Sequence, residues 1–327
     1  MKVIIPLAGK GTRLLPLTQR VPKPLVRVAG RPVMDYVMDK LEGLDIEELI
    51  FITGHLKEQV EIHVRKHYRY RARFIEQKVQ DGTAGAVGLA QPFVEGPLLI
   101  IFVDTLFDAD LTLVNRADAD GIIWAKEVED YQRFGVVVTD DRGYMTRIVE
   151  KPREPISRLA NIGLYYIRDW RTLFEGIAHT LAQPKNKGEW FLTDAFQFMI
   201  ERGRRILTAE VGGWYDCGKV ETVLQTNLHL LQHGRSQAPP PRQGVTLVAP
   251  VRIEDGVALE RCTVGPNVTI ESGAVVTGGS VRDAIVGHGA RLSRCEIRHC
   301  IIGEGVVLEG RSLDNTVATI DEVAPAP

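Results

Sequence analysis

Two glycines and two basic residues near the start of the chain are of the types that hold a phosphate group. Gly9 and Gly11 let the backbone turn tightly and bring its N–H groups close to an anion. Arg13 and Lys23 add positive charge near this turn, and prolines at positions 16, 22 and 24 stiffen the segment that carries them. The apolar run at 3–5 predicts a central parallel strand that leads into the turn. This order predicts an anion site, although neither of the two commonest nucleotide-loop patterns is present.

A carboxylate and a second glycine turn follow later predicted strands. Asp104 ends the unbroken apolar run 98–103, which places it at the C-terminal end of a buried parallel strand, where open α/β sheets bind ligands. A single carboxylate there suits a hard cation that keeps several waters, and a cap on the next turn is the alternative. Gly82 and the small residues after it predict a helix whose N-terminus approaches a ligand closely.

The elements that must position these residues alternate between strands and helices in the first part of the chain. Apolar residues at helical spacing predict helices over 32–41, 56–67, 170–181, 190–201 and 220–231. Apolar and β-branched runs predict strands over 48–53, 72–77, 98–103, 121–126, 135–139, 144–149, 163–167 and 206–210. The early βαβα order predicts a parallel sheet that is covered by helices on both faces.

The last quarter of the chain has a different repeat. Apolar residues at 247, 253, 259, 264, 270 and 276 recur about every six positions, which is the period of a left-handed parallel β-helix. The Pro-rich run 236–244 before them is typical of a linker. The chain is therefore predicted to divide into a domain at 1–235, a linker at 236–244 and a β-helix at 245–320.

Composition narrows the class of protein. The chain has 327 residues, 44% of them hydrophobic, which is enough to fill ordinary cores in two domains. A formal net charge of −2 gives no reason to expect nucleic acid or an anionic membrane as a partner. The first residues continue directly into a strand, which leaves no room for a signal peptide, and no apolar run reaches membrane-spanning length, so we expect a cytoplasmic protein. The four cysteines lack Cys-x-x-Cys spacing and are expected to be reduced and structural.

The first twenty-five residues carry a specific resemblance. Residues 7–18, Leu-Ala-Gly-Lys-Gly-Thr-Arg-Leu-Leu-Pro-Leu-Thr, followed by Pro-Lys-Pro-Leu at 22–25, resemble the signature of the sugar-1-phosphate nucleotidyltransferases. Those enzymes join a nucleoside triphosphate to a sugar-1-phosphate and release pyrophosphate. The resemblance implies an α/β fold with a Rossmann-like mixed, mainly parallel sheet flanked by helices, followed by a short left-handed parallel β-helix. It also implies Mg²⁺ as cofactor and a nucleoside triphosphate and a sugar-1-phosphate as substrates.

The resemblance implies roles for individual residues. The residues expected to bind the nucleotide are Leu7, Ala8, Gly9, Gly11, Thr12, Gln77 and Gly82. The residues expected to line the sugar site are Gly135, Glu150, Asn161 and Gly163. The basic residues expected to act on the phosphates are Arg13, Lys23 and Lys151, and the magnesium ligands are expected to be Asp104 and Asp216. By position, Gln77 would pair with the Watson–Crick edge of a pyrimidine and Lys151 would neutralise the sugar phosphate.

Several alternatives stay open at this stage. Gln77 favours dTTP or UTP with glucose-1-phosphate, whereas the run 82–85 also resembles guanylyltransferases for mannose-1-phosphate. Hexapeptide-repeat domains often transfer acetyl groups from acetyl-CoA, with His288 or His299 as the candidate base, and a non-catalytic regulator that binds nucleotide sugars is a third class. We expect the β-helix to serve stability or homo-oligomer formation. Because every matched motif precedes Leu231, the part up to that residue is expected to be active by itself.

Overall fold

The fold is that of a computed structural model, which describes residues 1–321. The helices are α1 (Val33–Asp39), α2 (Lys57–His67), α3 (Thr83–Gly88), α4 (Trp170–Leu181), α5 (Leu192–Glu201) and α6 (Val220–Leu230). The strands up to residue 216 are β1 (Lys2–Pro6), β2 (Arg27–Val28), β3 (Arg31–Pro32), β4 (Glu48–Thr53), β5 (Ala72–Glu76), β6 (Leu98–Ile101), β7 (Thr105–Phe107), β8 (Gly121–Glu127), β9 (Gly135–Thr139), β10 (Met145–Glu150), β11 (Leu159–Ile167), β12 (Ile206–Glu210) and β13 (Trp214–Asp216).

Chain contacts divide the protein into two compact units. The first unit comprises residues 1–10 and 37–214, and the second comprises residues 11–36 together with the chain from Tyr215 onward. The domain boundaries that the sequence pattern predicts, at 1–235, 236–244 and 245–320, stay a prediction. The segment that carries Arg13 and Lys23 belongs to the same unit as residues distant from it in sequence, and no local pattern reports such contacts.

A nine-stranded mixed sheet forms the centre of the first unit. Strands β6, β1, β4 and β5 lie side by side and pair in parallel. Strand β11 pairs antiparallel with β6, β8 and β9, which makes the other half of the sheet largely antiparallel. The core residues of β1 at positions 3–5 are fully buried, and so are Leu173 of α4 and Phe196 of α5 in the cluster that covers the sheet. The predicted mixed sheet flanked by helices is confirmed.

Two element boundaries differ from the sequence pattern for identifiable reasons. The strand predicted over 163–167 begins at Leu159, because Asn161 continues the pairing with β8 across a register shift. The helix predicted from position 190 begins at Leu192, since the backbone of Trp190 is used elsewhere. Its N–H donates to Asp81 O at 2.8 Å, and its carbonyl accepts from Ala84 N at 3.0 Å.

The C-terminal part is a stack of short parallel strands. These are β14 (Val245–Leu247), β15 (Val251–Ile253), β16 (Ala258–Glu260), β17 (Cys262–Val264), β18 (Val268–Ile270), β19 (Val275–Arg282), β20 (Ala284–Val286), β21 (Arg291–Arg298), β22 (Ile301–Ile302), β23 (Val307–Glu309), β24 (Ser312–Asp314) and β25 (Val317–Ala318). Val245 pairs with Cys262 and Val275 pairs with Arg291, so each coil takes 16 or 17 residues. Parallel coils around an apolar core are consistent with the predicted left-handed β-helix.

The first residues of the Pro-rich linker pair with strand β15 of the β-helix. Gln237 N donates to Val251 O at 2.7 Å, and Gln237 O accepts from Ile253 N at 2.8 Å. The four cysteines are all buried, and none of them forms a disulfide. Within residues 1–321, no helix is both long and apolar enough to cross a membrane.

Candidate active site

The loop after β1 carries the first predicted nucleotide-binding residues. Leu7 N donates to Ile52 O at 2.9 Å, which continues the β1–β4 pairing by one residue. Ala8 O accepts from Gln80 Nε2 at 2.7 Å, so Gln80, which the sequence pattern did not single out, fixes the loop. A Cβ atom on Gly9 would have no heavy atom within 4 Å. The backbone at Gly9 therefore borders open space, as close approach of a ligand requires.

The predicted base-reading residues lie at the start of α3. Gln77 is buried, and its amide nitrogen donates to Asp81 Oδ1 at 3.0 Å and to Gly82 O at 3.3 Å. Because both donor contacts are made within the protein, the carbonyl oxygen of Gln77 is the group that these contacts leave for a further donor. Gly82 has φ +121°, and a Cβ atom there would lie 2.3 Å from Trp190 O. Glycine is thus required at 82 by the backbone of Trp190, independently of any base.

Three predicted sugar-site residues form one cluster at the ends of β9, β10 and β11. Asn161 Nδ2 donates to Gly135 O at 2.7 Å, and Asn161 Oδ1 accepts from the hydroxyl of Tyr165. A Cβ atom on Gly135 would lie 2.3 Å from Asn161 Nδ2 and 2.8 Å from Glu150 Oε2. The absence of a side chain at 135 therefore lets Asn161 and Glu150 approach the same strand end.

Glu150 and Lys151 add a paired charge to this cluster. Lys151 Nζ lies 3.6 Å from Glu150 Oε1 and 4.8 Å from the ring centre of Phe191. Thr193 Oγ1 donates to Glu150 Oε2 at 3.3 Å. Burial raises the pKa of the Glu150 carboxyl, and the neighbouring Lys151 opposes that shift. Lys151 itself has φ +44°, an uncommon backbone conformation for lysine that turns the chain at the end of β10.

Thr193 and Tyr165 belong to the cluster although the sequence pattern did not mark them. Tyr165 lies inside an apolar strand, where nothing distinguishes it from a core residue. Thr193 and Asp194 stand in the first turn of α5, and a Thr-Asp pair before an apolar helical run is a recognisable helix-start signal. That signal could have drawn attention to Thr193.

Asp104 lies in the turn between β6 and β7 and is half-buried. Phe102 N donates to Gly163 O at 2.8 Å, and Gly163 has φ +80° with Phe102 Cβ 3.0 Å from the position of a Cβ. Gly163 thus supports the turn that leads to Asp104. This contact accounts for glycine at 163, and its predicted place in the sugar site stays a prediction.

The segment 11–36, called the signature segment below, carries the other predicted phosphate-binding residues in the second unit. Gly11 has a left-handed backbone, and its carbonyl accepts from Leu14 N at 2.9 Å and from Thr18 Oγ1 at 2.9 Å. A Cβ atom on Gly11 would lie 3.2 Å from Lys23 Cβ, so the turn folds back towards Lys23. Thr12 and Arg13 are exposed on this turn.

Asp216 and Arg13 approach the same glycine. Asp216 Oδ1 accepts from Gly218 N at 2.8 Å, and Asp216 Oδ2 accepts from Thr222 Oγ1 at 3.1 Å. A Cβ atom on Gly218 would lie 2.8 Å from Asp216 Oδ1 and 3.5 Å from Arg13 Nη2. A side chain at 218 would therefore displace the Asp216 carboxylate and would touch Arg13, so the short turn after β13 brings one predicted metal ligand close to one predicted phosphate-binding residue.

Asp104 and Asp216 offer the donor chemistry of a hard divalent cation. Each oxygen of Asp216 accepts one hydrogen bond and keeps a further lone pair, which is compatible with a cation that retains waters. Residues 1–321 contain no group of three or more His, Cys, Asp or Glu side chains gathered as a metal centre. Each carboxylate by itself offers oxygen ligands of the kind that Mg²⁺ takes beside waters and substrate phosphates.

The two candidate acetyl-transfer bases lie on the surface of the β-helix. His288 Nδ1 is 3.1 Å from Ser272 Oγ, and His299 Nδ1 is 2.9 Å from Asp314 Oδ1. Each exposed pair joins neighbouring coils, which explains both contacts as packing between coils.

The sequence of this chain is similar to those of several known proteins. Residues 2–233 match the family described as nucleotidyl transferase. The chain is 34% identical over 261 residues to the bifunctional protein GlmU of Methanococcus aeolicus, a match that covers 80% of this chain and 62% of that protein. It is also 34% identical over 223 residues to the UTP–glucose-1-phosphate uridylyltransferase AglF of Haloferax volcanii, which covers 65% of this chain and 89% of the relative. The chain thus spans less than two thirds of the GlmU relative and most of AglF.

Among solved structures, UDP-glucose pyrophosphorylase complexed with UDP-glucose has the same fold. The TM-score is 0.63 at 23% identity, over 71% of this chain and 98% of that one. The family match covers the sheet, the glycine turn after β1 and the turn that holds Asp216. The chain belongs to the nucleotidyl transferase family.

Proposed function

We propose that this protein transfers a nucleotidyl group from a nucleoside triphosphate to a sugar-1-phosphate, with dTTP or UTP and glucose-1-phosphate as the leading substrates. The observation that carries the proposal is the cluster at the ends of β9, β10 and β11. There a lysine, a partly buried carboxylate and an amide converge, with Lys151 Nζ 3.6 Å from Glu150 Oε1 and Asn161 fixed by Gly135. A lysine ammonium group beside hydrogen-bond acceptors suits a sugar that carries both a phosphate and hydroxyls.

In the proposed reaction an oxygen of the sugar-1-phosphate attacks the α-phosphorus of the triphosphate. A bond forms between that oxygen and the α-phosphorus, the bond from the α-phosphorus to the bridging oxygen breaks, and pyrophosphate leaves with the electron pair. The attacking phosphate is already ionised at neutral pH, so the step needs no general base. Catalysis then depends on positioning and on charge neutralisation.

The chain's basic residues would supply most of that neutralisation. Arg13, on the exposed turn beside Gly218, would bind the triphosphate and the departing pyrophosphate. Lys23 would bridge the phosphates, and Lys151 would hold the attacking phosphate.

Asp104 and Asp216 would hold a divalent cation, and Mg²⁺ is the proposed ion. When bound, such a cation supplies charge neutralisation at the α-phosphate. The donors fit, because both are carboxylates and Asp216 is held in one orientation by Gly218 N and Thr222 Oγ1. The role of these two residues is to fix that charge next to the phosphates.

Pyrimidine triphosphates are proposed over purine triphosphates because of the surroundings of Gln77. The Nε2 group of Gln77 donates to Asp81 and Gly82, which holds the amide in one orientation and leaves its oxygen as an acceptor for the imide N–H of uracil or thymine. Two similar proteins, a UTP–glucose-1-phosphate uridylyltransferase and a UDP-glucose pyrophosphorylase, are named for a uridine nucleotide and glucose, which supports this choice.

We expect dTTP and UTP to exceed GTP and ATP in kcat/KM with glucose-1-phosphate, and Gln77→Ala to narrow that gap. Leaving a buried amide contact unmade costs about 1–3 kcal/mol, which corresponds to about ten- to a hundredfold in specificity. The measurement is pyrophosphate release with all four triphosphates in the wild type, in Gln77→Ala and in the exposed control Gln91→Ala. Thymine's extra methyl group does not contact an amide, so Gln77 is not expected to separate dTTP from UTP.

A wild-type preference for GTP would contradict the base assignment and would make mannose-1-phosphate the leading sugar. An equal loss with all four nucleotides in Gln77→Ala would mean that Gln77 supports the α3 turn through Asp81 without reading the base. Acetyl transfer from acetyl-CoA, measured in parallel, would add the second activity for which the geometry around His288 and His299 gives no independent support.

A further inference from the structure

The signature segment ends in a small hairpin that is tied to its phosphate-binding turn. Strands β2 and β3 pair Arg27 with Pro32, and this hairpin begins four residues after Lys23. Val26 N donates to Lys23 O at 3.2 Å, and Val33 N donates to Val26 O at 2.9 Å. Backbone hydrogen bonds therefore link the turn that carries Lys23 to the hairpin, so a shift of the hairpin would move Lys23.

Arg27 joins this hairpin to two carboxylates of the β-helix. Arg27 Nε donates to Glu271 Oε1 at 2.8 Å, and Arg27 Nη2 donates to Glu254 Oε1 at 3.2 Å. These carboxylates are themselves held, since Glu254 Oε2 accepts from Ser272 N at 3.0 Å and Glu271 Oε2 accepts from His288 N at 3.2 Å. Charge-assisted contacts of this kind are about twice as strong as neutral ones. Through Glu254 and Glu271, the contacts of Arg27 therefore reach three successive coils of the β-helix, at residues 254, 271–272 and 288.

Asn227 of α6 makes a second connection at the same hairpin. Its Oδ1 atom accepts from Ala29 N at 2.9 Å and from Thr269 Oγ1 at 2.7 Å. Asn227 and Thr269 are fully buried, so these bonds are shielded from water. Gly30 completes the contact, because a Cβ atom there would lie 2.4 Å from Arg252 Nε and 2.5 Å from Glu254 Oε1. Glycine is favoured at 30 by its φ of +79°, and a side chain there would have to displace the ends of the Arg252 and Glu254 side chains.

We propose that the β-helix holds the signature segment in the position that nucleotidyl transfer requires, with Arg27 and Asn227 as the positioning residues. The proposal rests on the roles given above to Arg13 and Lys23. Phosphoryl-type transfer depends on placing charges against the phosphates, and small displacements of such groups are costly. The β-helix then contributes to catalysis without touching a substrate. This reverses the expectation from the sequence that the part of the chain up to Leu231 is active by itself.

The variant Arg27→Gln tests the proposal in the full chain. Arg27 is 39% exposed, so its replacement does not open the core, whereas the Glu271 side chain is only 7% exposed. The matched control is Arg294→Gln, which removes an exposed arginine–glutamate pair with Glu309 between β-helix coils. Two quantities are measured for each protein: amide hydrogen exchange along the chain, and initial-rate kinetics with varied nucleotide and varied sugar-1-phosphate.

In Arg27→Gln we expect exchange in residues 11–36 to become about tenfold faster, and kcat/KM for the nucleotide to fall about tenfold, because charge-assisted contacts with two carboxylates are lost. The KM for the sugar-1-phosphate and exchange in β1 and β4 are expected to stay within about twofold of the wild type, since β1, β4 and the residues proposed to bind the sugar all lie in the first compact unit. Glu271→Gln should act in the same direction, and combining it with Arg27→Gln should add less than the sum of the two effects. Arg294→Gln should change none of these values.

Unchanged exchange in residues 11–36, or an equal increase throughout the chain, would overturn the proposal. Faster exchange in the segment with wild-type kinetics would also overturn it, because the segment's position would then not matter for the reaction. If the wild type itself released no pyrophosphate with any substrate pair, the proposed function would fail, and the exchange comparison would still decide whether Arg27 holds the segment.

Discussion

Replacing Asp104 or Asp216 by Asn is expected to lower turnover at least about 100-fold, because each change removes one negative charge from a proposed cation ligand. The fold should survive. In Asp216→Asn the amide oxygen can accept from Gly218 N, and the amide nitrogen can donate to Thr222 Oγ1, so both contacts are kept. The measurement is kcat as a function of Mg²⁺ concentration, together with the thermal midpoint of each variant.

A carboxylate far from the proposed site provides the control for this prediction. Asp141 is exposed in the hairpin between β9 and β10, and Asp141→Asn makes the same change in charge. We expect its turnover and magnesium dependence to match the wild type. Wild-type turnover of Asp104→Asn or Asp216→Asn at limiting Mg²⁺ would show that the residue concerned does not hold the cation.

Lys151→Met is expected to raise the KM for the sugar-1-phosphate by about 30- to 100-fold while the KM for the nucleotide changes less than about threefold. Methionine keeps the length and the contact with Phe191 but removes the charge that faces the sugar phosphate. Initial-rate measurements with each substrate varied in turn separate the two constants. Binding of an uncharged sugar should be affected less than binding of its phosphate, because only the phosphate would contact the charge of Lys151.

Lys185→Met is the matched control, because Lys185 also lies over an aromatic ring, with its Nζ 4.6 Å from the centre of Trp190. It is not among the residues proposed to bind the sugar phosphate, and we expect both constants to be unchanged. If Lys151→Met instead raised the KM for the nucleotide and spared the sugar-1-phosphate, Lys151 would have to be reassigned to the triphosphate.

Much of the sheet could be predicted from the sequence because its strands are buried on both faces. The run at 3–5 and strand β4 are almost continuously apolar, and such runs by themselves indicate a central parallel strand. The β-helix could be predicted for a similar reason, since each coil repeats the same inward-facing apolar positions. Local periodicity was sufficient in both cases.

The contacts between the signature segment and the β-helix could not be predicted, because they are long-range. Arg27 and Glu271 are separated by 244 residues, and no pattern near either of them indicates the other. The start of α5 was misplaced for a related reason: Trp190 has its backbone bonds satisfied by Asp81 and Ala84, more than a hundred residues earlier. Sequence patterns report which face of an element is apolar, but they do not report which distant element covers it.

The candidate site likewise contains residues that local motifs indicate and partner residues that they do not. The residues matched by local motifs, such as Glu150 and Lys151, lie in one cluster with Asn161, and their role in sugar binding stays a prediction. The partners that orient them were not foreseen, because Tyr165 and Thr193 are ordinary core and helix-start residues in their own elements. Their place in the cluster depends on the pairing of β11 with β9 and on the packing of α5.

The most direct test of the proposed reaction follows phosphorus in one mixture of protein, Mg²⁺, UTP and glucose-1-phosphate by ³¹P NMR. We predict that the signals of the sugar phosphate and of the triphosphate disappear together, and that a sugar-linked diphosphate and pyrophosphate appear in equal amounts. Neither product should form when one substrate is omitted. Formation of orthophosphate or UDP, or loss of UTP without glucose-1-phosphate, would contradict nucleotidyl transfer and would indicate hydrolysis instead.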